Sequence, residues 1–485
     1  MSADHPVPAL DCWSTGSPAF DHLLGGGIPT RSVLVIAGEP GAGKTILTLQ
    51  LLFHRARQGQ HCLYFTTLSE PALKLIRYTQ LFDFFAPQLL DEQLRFADLG
   101  ATLRTQGAAA ALAEVSERVA AAEPDLVAID SFKVLHDLLG GPATSRAWVY
   151  DLAVQLAGWG ATTLLVGEYA PEELLTLPEF AIADGILRLT NERHALTSVR
   201  MLEVHKLRGA AYVSGRHFFE ITRAGLAVYP RVRTPEVPDA PAPASTRRVA
   251  SGVAGLDALL HGGVPEASAT LVQGGSGTGK TLLGLEFLVH GAQRGEPGLL
   301  LTLEEMPAQL RGIAATLGWD LAALEAAGRF QLHYTSPVEL SPDRFLAQAR
   351  QRAAALGAQR VVLDGVSTLA LGVGSERRLR ELIYALSKHL RLAGVTFLLT
   401  MEVAELLGTT QLTGHGVSSL ADNVILLRYV EVAGQLERAL SILKVRGSAH
   451  ETAVHHWHIA AGGSRVGEPF HALQGVLTGL PRRAE

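Results

Sequence analysis

Residues 32–57 read SVLVIAGEPGAGKTILTLQLLFHRAR, and their pattern sets the fold class. An apolar run, Ser32 to Ala37, passes into Gly38-Glu39-Pro40-Gly41-Ala42-Gly43-Lys44-Thr45, after which apolar residues recur at helical spacing. The pattern G-x-x-x-x-G-K-[ST] between a strand and a helix is a phosphate cradle. Its glycines turn backbone N–H groups inward, the helix start adds a positive dipole, the lysine neutralises β- and γ-phosphates, and the hydroxyl serves Mg²⁺.

Residues 268–293, SATLVQGGSGTGKTLLGLEFLVHGAQ, repeat the arrangement with Gly274-Gly275-Ser276-Gly277-Thr278-Gly279-Lys280-Thr281. A glycine-rich turn that holds no nucleotide is the alternative for one such loop, and a second in the same context argues against it. Thr45 and Thr281 lie 236 residues apart, Asp130 and Asp364 234, Glu168 and Glu402 234, and Lys206 and Lys444 238. Whole domains are therefore duplicated. Between them, Arg231 to Arg248 is rich in proline and small polar residues, an extended linker rather than a core. The expected domains are 1–230 and 249–485, joined by 231–248.

Within each half, β-branched apolar runs alternate with longer amphipathic segments. Ser32 to Ala37, Leu126 to Ile129, Thr162 to Val166, Val361 to Leu363 and Thr396 to Leu399 are the expected strands. Such alternation predicts an α/β fold with a mostly parallel sheet covered by helices on both faces. With 485 residues, 47% hydrophobic and 18% charged, the chain is long enough for several cores. A net charge of −5 gives no general field for nucleic acid. Cys12 and Cys62 lack metal-ligand spacing, and two thiols in a chain of this size suit a reducing compartment. No apolar stretch approaches the ~18 residues of a membrane span, so a cytoplasmic location without membrane contact is expected.

Asp130 and Asp364 end apolar strands, where a carboxylate meets Mg²⁺ beside the loop; alone, an aspartate there is often a turn former, but the repetition favours the metal role. Glu304 and Glu305 follow the strand Leu300 to Leu303, 24 and 25 residues beyond Lys280. One of them can take the proton of the group that attacks the γ-phosphate, and a solvated helix start is the bland alternative. In the first half Ser69 stands in for the earlier carboxylate and only Glu70 remains, so the two sites need not be equally active: either domain 1 hydrolyses slowly or Glu70 takes the catalytic role.

The tandem loops, the Glu304–Glu305 pair, Lys206-Leu207-Arg208-Gly209 and Lys444-Val445-Arg446-Gly447-Ser448 together resemble the KaiC family of circadian-clock ATPases and autokinases over nearly the whole chain. The resemblance implies two tandem RecA-like P-loop NTPase domains, ATP and Mg²⁺ as cofactors, and a homo-hexamer with ATP bound between neighbours. It also implies that Lys206, Arg208, Lys444 and Arg446 reach the ATP of the adjacent subunit. Family members carry two autophosphorylated hydroxyls at the place of Ser418 and Ser419, the second a threonine there. The matching segment Pro178 to Asp184 lacks both, so serine kinase chemistry is expected in the second domain only.

After Glu468-Pro469-Phe470 the tail that the family offers to its activator KaiA is short, so dependence on KaiA is not expected, whereas a KaiB-like partner remains a candidate for domain 1. The expected function is an ATPase and serine autokinase acting as a timing or signalling switch. Two alternatives stand beside it: a RecA-like DNA-dependent ATPase, using Arg377, Arg378 and Arg380 after Asp364 on a mobile loop, and an ATP-switched scaffold with little turnover.

Overall fold

The computed structural model describes residues 11–485 apart from 69–71, 139–141, 195–196, 232, 234–246, 374, 404–413, 433, 471–472, 475–481 and 484–485. Most of the expected linker, together with Ser69 and Glu70, lies outside the described residues. The chain divides into two compact units, Met1–Arg231 and Val232–Glu485.

The first unit is built on nine strands: β1 Val33–Gly38, β2 Cys62–Thr66, β3 Leu94–Asp98, β4 Leu126–Asp130, β5 Thr162–Glu168, β6 Gly185–His194, β7 Thr197–Leu207, β8 Arg216–Thr222 and β9 Gly225–Tyr229. Their spatial order is 3-2-4-5-1-6-7-8-9. The first six of that series are parallel and the last three extend the sheet antiparallel.

The second unit repeats the plan with β10 Ala269–Gly274, β11 Gly298–Thr302, β12 Phe330–Tyr334, β13 Arg360–Asp364, β14 Thr396–Glu402, β15 Asn423–Val432, β16 Gln435–Val445, β17 His455–Ala460 and β18 Gly463–Pro469, ordered 12-11-13-14-10-15-16-17-18. The topology is the same strand for strand. The expected α/β architecture, two tandem RecA-like P-loop domains, is what the chain adopts.

Central strands read as continuous apolar runs because both of their faces are covered. Along β1, Leu34 and Ile36 enter one core while Val35 and Ala37 enter the core on the opposite face. Likewise Val361 and Leu363 of β13 face one side of the second sheet and Val362 the other. Each fully buried side chain of this size contributes about 1.5–3 kcal/mol relative to exposure, which fixes the register, since a one-residue slip would exchange the two faces.

That register aligns the carboxyl ends of the parallel strands. Gly38 lies beside Glu168, and Thr66 beside Asp130; Gly274 lies beside Glu402, and Thr302 beside Asp364. Ligands of open α/β sheets bind at that edge.

Candidate active site: two phosphate-binding loops

Both glycine-rich loops leave the central strand of their sheet and enter a helix, Lys44–Arg57 in the first domain and Lys280–Gln293 in the second. The residue before each helix is Gly43 or Gly279, at φ 102° and 101°. A side chain is strained there, and a Cβ on Gly279 would come within 2.8 Å of Ile459 and 3.1 Å of Trp457. Strands β15 and β17 therefore brace the loop from behind. Trp457 Nε1 donates to Thr278 O at 3.1 Å, and Tyr429 OH donates to Gly277 O at 2.7 Å.

Lys44 and Lys280 each donate to a carbonyl of their own loop, Glu39 O and Gly275 O, both at 2.8 Å. Burial pushes both amines below the usual lysine range, against the pull of the carboxylates around them. Glu168 is 3.8 Å from Lys44. A partly desolvated ammonium facing a loop of inward amides is a strong receptor for phosphate oxygens.

The two aspartates are wired differently. Thr45 Oγ1 and Tyr64 OH donate to Asp130 Oδ2 at 2.7 and 2.8 Å. Burial raises the Asp130 carboxyl, and these two hydrogen bonds hold it down. In the second domain Leu300 stands at the position of Tyr64, and Asp364 instead accepts from Thr400 of β14. Its other oxygen, Oδ2, and Glu305 Oε2 are both buried with no donor from the backbone or any other side chain, and a proton on Glu305 is shared with Asp364. Burial first, and then the negative charge of Asp364, push the Glu305 carboxyl up to about 7. Thr281 Oγ1 lies 3.5 Å from Glu305 Oε1.

Buried Asp364 and half-buried Glu305, two carboxyls close enough to share a proton, stand next to a threonine hydroxyl and a phosphate cradle and form a donor set that fits a hard divalent cation with oxygen ligands. Glu304, by contrast, is exposed and held by Thr368 Oγ1 at 2.8 Å.

A family model described as "ATPase: KaiC" matches residues 13–233 and, a second time, residues 249–470. The chain belongs to the KaiC family. Curated relatives include the circadian clock oscillator protein KaiC of Acaryochloris marina, 29% identical over 96% of this chain and 90% of that protein. The KaiC of Thermosynechococcus vestitus is also 29% identical, over the same shares. KaiC 1 of a Synechocystis strain is 27% identical over 99% of this chain and 93% of its own length. KaiC membership makes the chain an ATP-binding enzyme of the ATPase class.

The remaining residues drawn from the KaiC resemblance sit at the other end of the sheet. Lys206 pairs with Ile186, which lies beside Val35, and Lys444 pairs with Val424, which lies beside Leu271. Each position is three strand residues, roughly 10 Å, short of the end that feeds its own loop. A β-bulge precedes each lysine's partner contact, with His205 and Leu443 as the extra residues. Lys444 Nζ donates to Ala421 O at 2.7 Å, further from Lys280 still.

Arg208 pairs with Asp184 at 3.2 Å and Arg446 with Asp422 at 3.4 Å, while each aspartate also accepts from the first residue of β1 or β10 at 3.0 Å. Reading the motifs did not single out Asp184 and Asp422, although the repeated Ala-Asp before β6 and β15 was a usable signal. Tyr64 and Thr400 left no such signal, because each occurs in one copy only.

Ser418 and Ser419 close the short 3-10 turn Gly414–Ser419, just ahead of β15. Ser418 is half-buried and Ser419 exposed, donating to Gly416 O at 2.9 Å. The segment considered as a DNA-binding loop is instead helical, Val366–Val373 followed by Glu376–Leu392. Arg378 Nη2 donates to both carboxylate oxygens of Asp343 at 2.6 and 2.8 Å, Arg377 meets Glu381 at 3.1 Å, and Arg380 lies 3.8 Å from Glu376. Arginines engaged in this way line no mobile basic loop. Among the described residues no helix is long and apolar enough to cross a membrane.

Proposed function

We propose that the chain is an Mg²⁺-dependent ATP hydrolase, assembled as a homo-hexamer, whose second domain also transfers the γ-phosphoryl group of ATP to a serine of the neighbouring subunit. The observation that carries this reading is the separation of parts. Ser418, Ser419, Lys444 and Arg446 occupy the sheet edge opposite the loop of their own domain, whereas in-line attack needs reacting atoms about 3–3.5 Å apart. The two edges complete a site only when one subunit's phosphate cradle meets the next subunit's serines and cations. KaiC membership supports the ring.

In that composite site Lys280 and the loop amides bind the triphosphate, while Thr281, Asp364 and Glu305 would hold Mg²⁺. The ion, when bound, would supply positive charge that offsets the charge on the triphosphate during transfer. Glu304 accepts the proton of the attacking serine as its Oγ bonds to the γ-phosphorus. The bond from that phosphorus to the β–γ bridging oxygen breaks, and ADP leaves with the electron pair. Lys444 and Arg446 of the adjacent subunit stabilise the charge that spreads over the phosphoryl oxygens. With water in place of serine the same geometry hydrolyses ATP.

In the first domain Lys44, Thr45 and Asp130 bind nucleotide, with Lys206 and Arg208 reaching across. Asp130 there is already satisfied by Thr45 and Tyr64. That favours a first ring that turns over slowly and serves assembly, with a KaiB-like protein as its candidate partner, in a cytoplasmic timing or signalling switch.

The test is intact-mass spectrometry of the full chain after incubation with Mg-ATP, with peptide mapping across residues 414–422. A gain of one or two phosphates at Ser418 or Ser419, abolished in Glu304→Gln, is expected. ATP hydrolysis without added mass would sink the autokinase and leave an ATP-driven switch with a conformational output.

A further inference from the structure

The second domain contains a cavity at the amino-terminal ends of β10 and β14, on the sheet edge away from Lys280. Lys388 and Arg391 enter it from the Glu376–Leu392 helix, Arg446 from the end of β16, and Asp422 from the turn before β15. Ser387 also lines it, its Oγ buried without a hydrogen-bond partner. Ser419 forms part of the same wall.

The charges are unbalanced. Asp422 is shared between Arg391 Nη2 at 2.7 Å and Arg446 at 3.4 Å. Lys388 has no carboxylate partner among the described residues and stands 5.3 Å from the centre of the Tyr384 ring. Three cations against one anion leave an excess of about two positive charges. A serine phosphate carries about −1.5 to −2 charges and three acceptor oxygens, a match in charge and in hydrogen-bonding sense to the cations and to the Ser387 hydroxyl.

We propose that this cavity is a receptor for a phosphate monoester dianion, the phosphoryl group on Ser419 of the same chain. It rests on the reading that the second domain phosphorylates its serines. The phosphate, once formed, competes with Asp422 for Arg391 and Arg446. An Arg446 drawn onto its own subunit's phosphoserine is no longer extended toward the neighbour's ATP, so the product restrains the site that made it. The first domain has no equivalent: Phe180 and Ala181 stand where the serines do, and its helix Pro142–Trp159 has neither lysine nor arginine after Arg146.

The test installs phosphoserine at position 419 of the full chain during translation, which makes it independent of any autokinase. Phosphorus NMR then follows the phosphate's titration without nucleotide. Its second pKa is expected on the order of one unit below the usual value of about 6. It should rise part-way toward that value in Lys388→Ala and further in Lys388→Ala with Arg391→Ala, where Arg446 is the one lining cation left. The single variant keeps the test sound if losing Arg391, which also binds Ala267 O at 3.1 Å, perturbs the fold.

A phosphoserine that titrates like an exposed one in the parent chain overturns the proposal. If inorganic phosphate added to the unmodified protein then binds in a Lys388-dependent way, the cavity belongs to the free ion instead. Absence of autophosphorylation in Mg-ATP would remove the kinase reading while the titration still decides the cavity.

Discussion

Glu305 offers the sharpest quantitative test of the second site. Its carboxyl is pushed up to about 7, with burial as the main cause and Asp364 and Glu304 adding repulsion. A divalent cation needs the carboxylate form, so the proton and the metal compete for the same oxygen. At pH 6, one unit below that value, about one Glu305 in eleven is ionised, and at pH 8 about ten in eleven, a ratio of roughly tenfold. The affinity of the second site for Mg-ATP should therefore rise roughly tenfold from pH 6 to pH 8, with up to one proton released on binding.

The measurement is a fluorescent-ATP titration of the full chain in a Lys44→Ala background, which silences the first site. Glu305→Gln has no carboxylate to ionise. It should bind more weakly at pH 8 and show a flat profile. An unchanged affinity across this range in the parent, or the same slope in Glu305→Gln, would refute the placement of Glu305 in the cation site.

Lys280→Ala should abolish phosphate incorporation, whereas Lys44→Ala should mainly impair assembly, read by mass spectrometry and by sedimentation respectively. Subunits carrying Glu304→Gln and subunits carrying Lys444→Ala should each be inactive alone, yet an equimolar mixture should regain about a quarter of the parental phosphorylation if residues are shared across a random ring; no recovery in demonstrably mixed rings would count against sharing. Gly279→Ala should cost about 1–3 kcal/mol of second-domain stability, because its φ of 101° and the nearby Ile459 and Trp457 leave no room for a side chain, and nucleotide binding there should be lost. Tyr64→Phe removes one of the hydrogen bonds that lower the Asp130 carboxyl; it should cost about 0.5–1.5 kcal/mol in urea denaturation, and Mg-ATP binding by the first domain should begin to fail at a higher pH than in the parent as the solution is acidified.

Sequence alone determined the duplication, the parallel α/β class and both phosphate cradles. These features are local: a strand, a glycine turn and a helix start depend on residues within about 25 positions of each other, and apolar runs report burial on both faces wherever the rest of the chain lies. The aspartates ending β4 and β13 were legible for the same reason. Tertiary structure alone decided what surrounds them. Asp130 is satisfied by Tyr64 from β2, whereas Asp364 accepts from Thr400 of β14 and faces Glu305; these partners come from strands that neighbour each other only after the crossovers are made. The same folding sets Lys444, Arg446 and Ser419 at the far edge from Lys280, and gathers Lys388 and Arg391 around Ser419, about 30 residues later in the chain. Spacing along a sequence carries no sign of which edge of a sheet a residue will reach, because that depends on strand order and direction, which long-range burial selects.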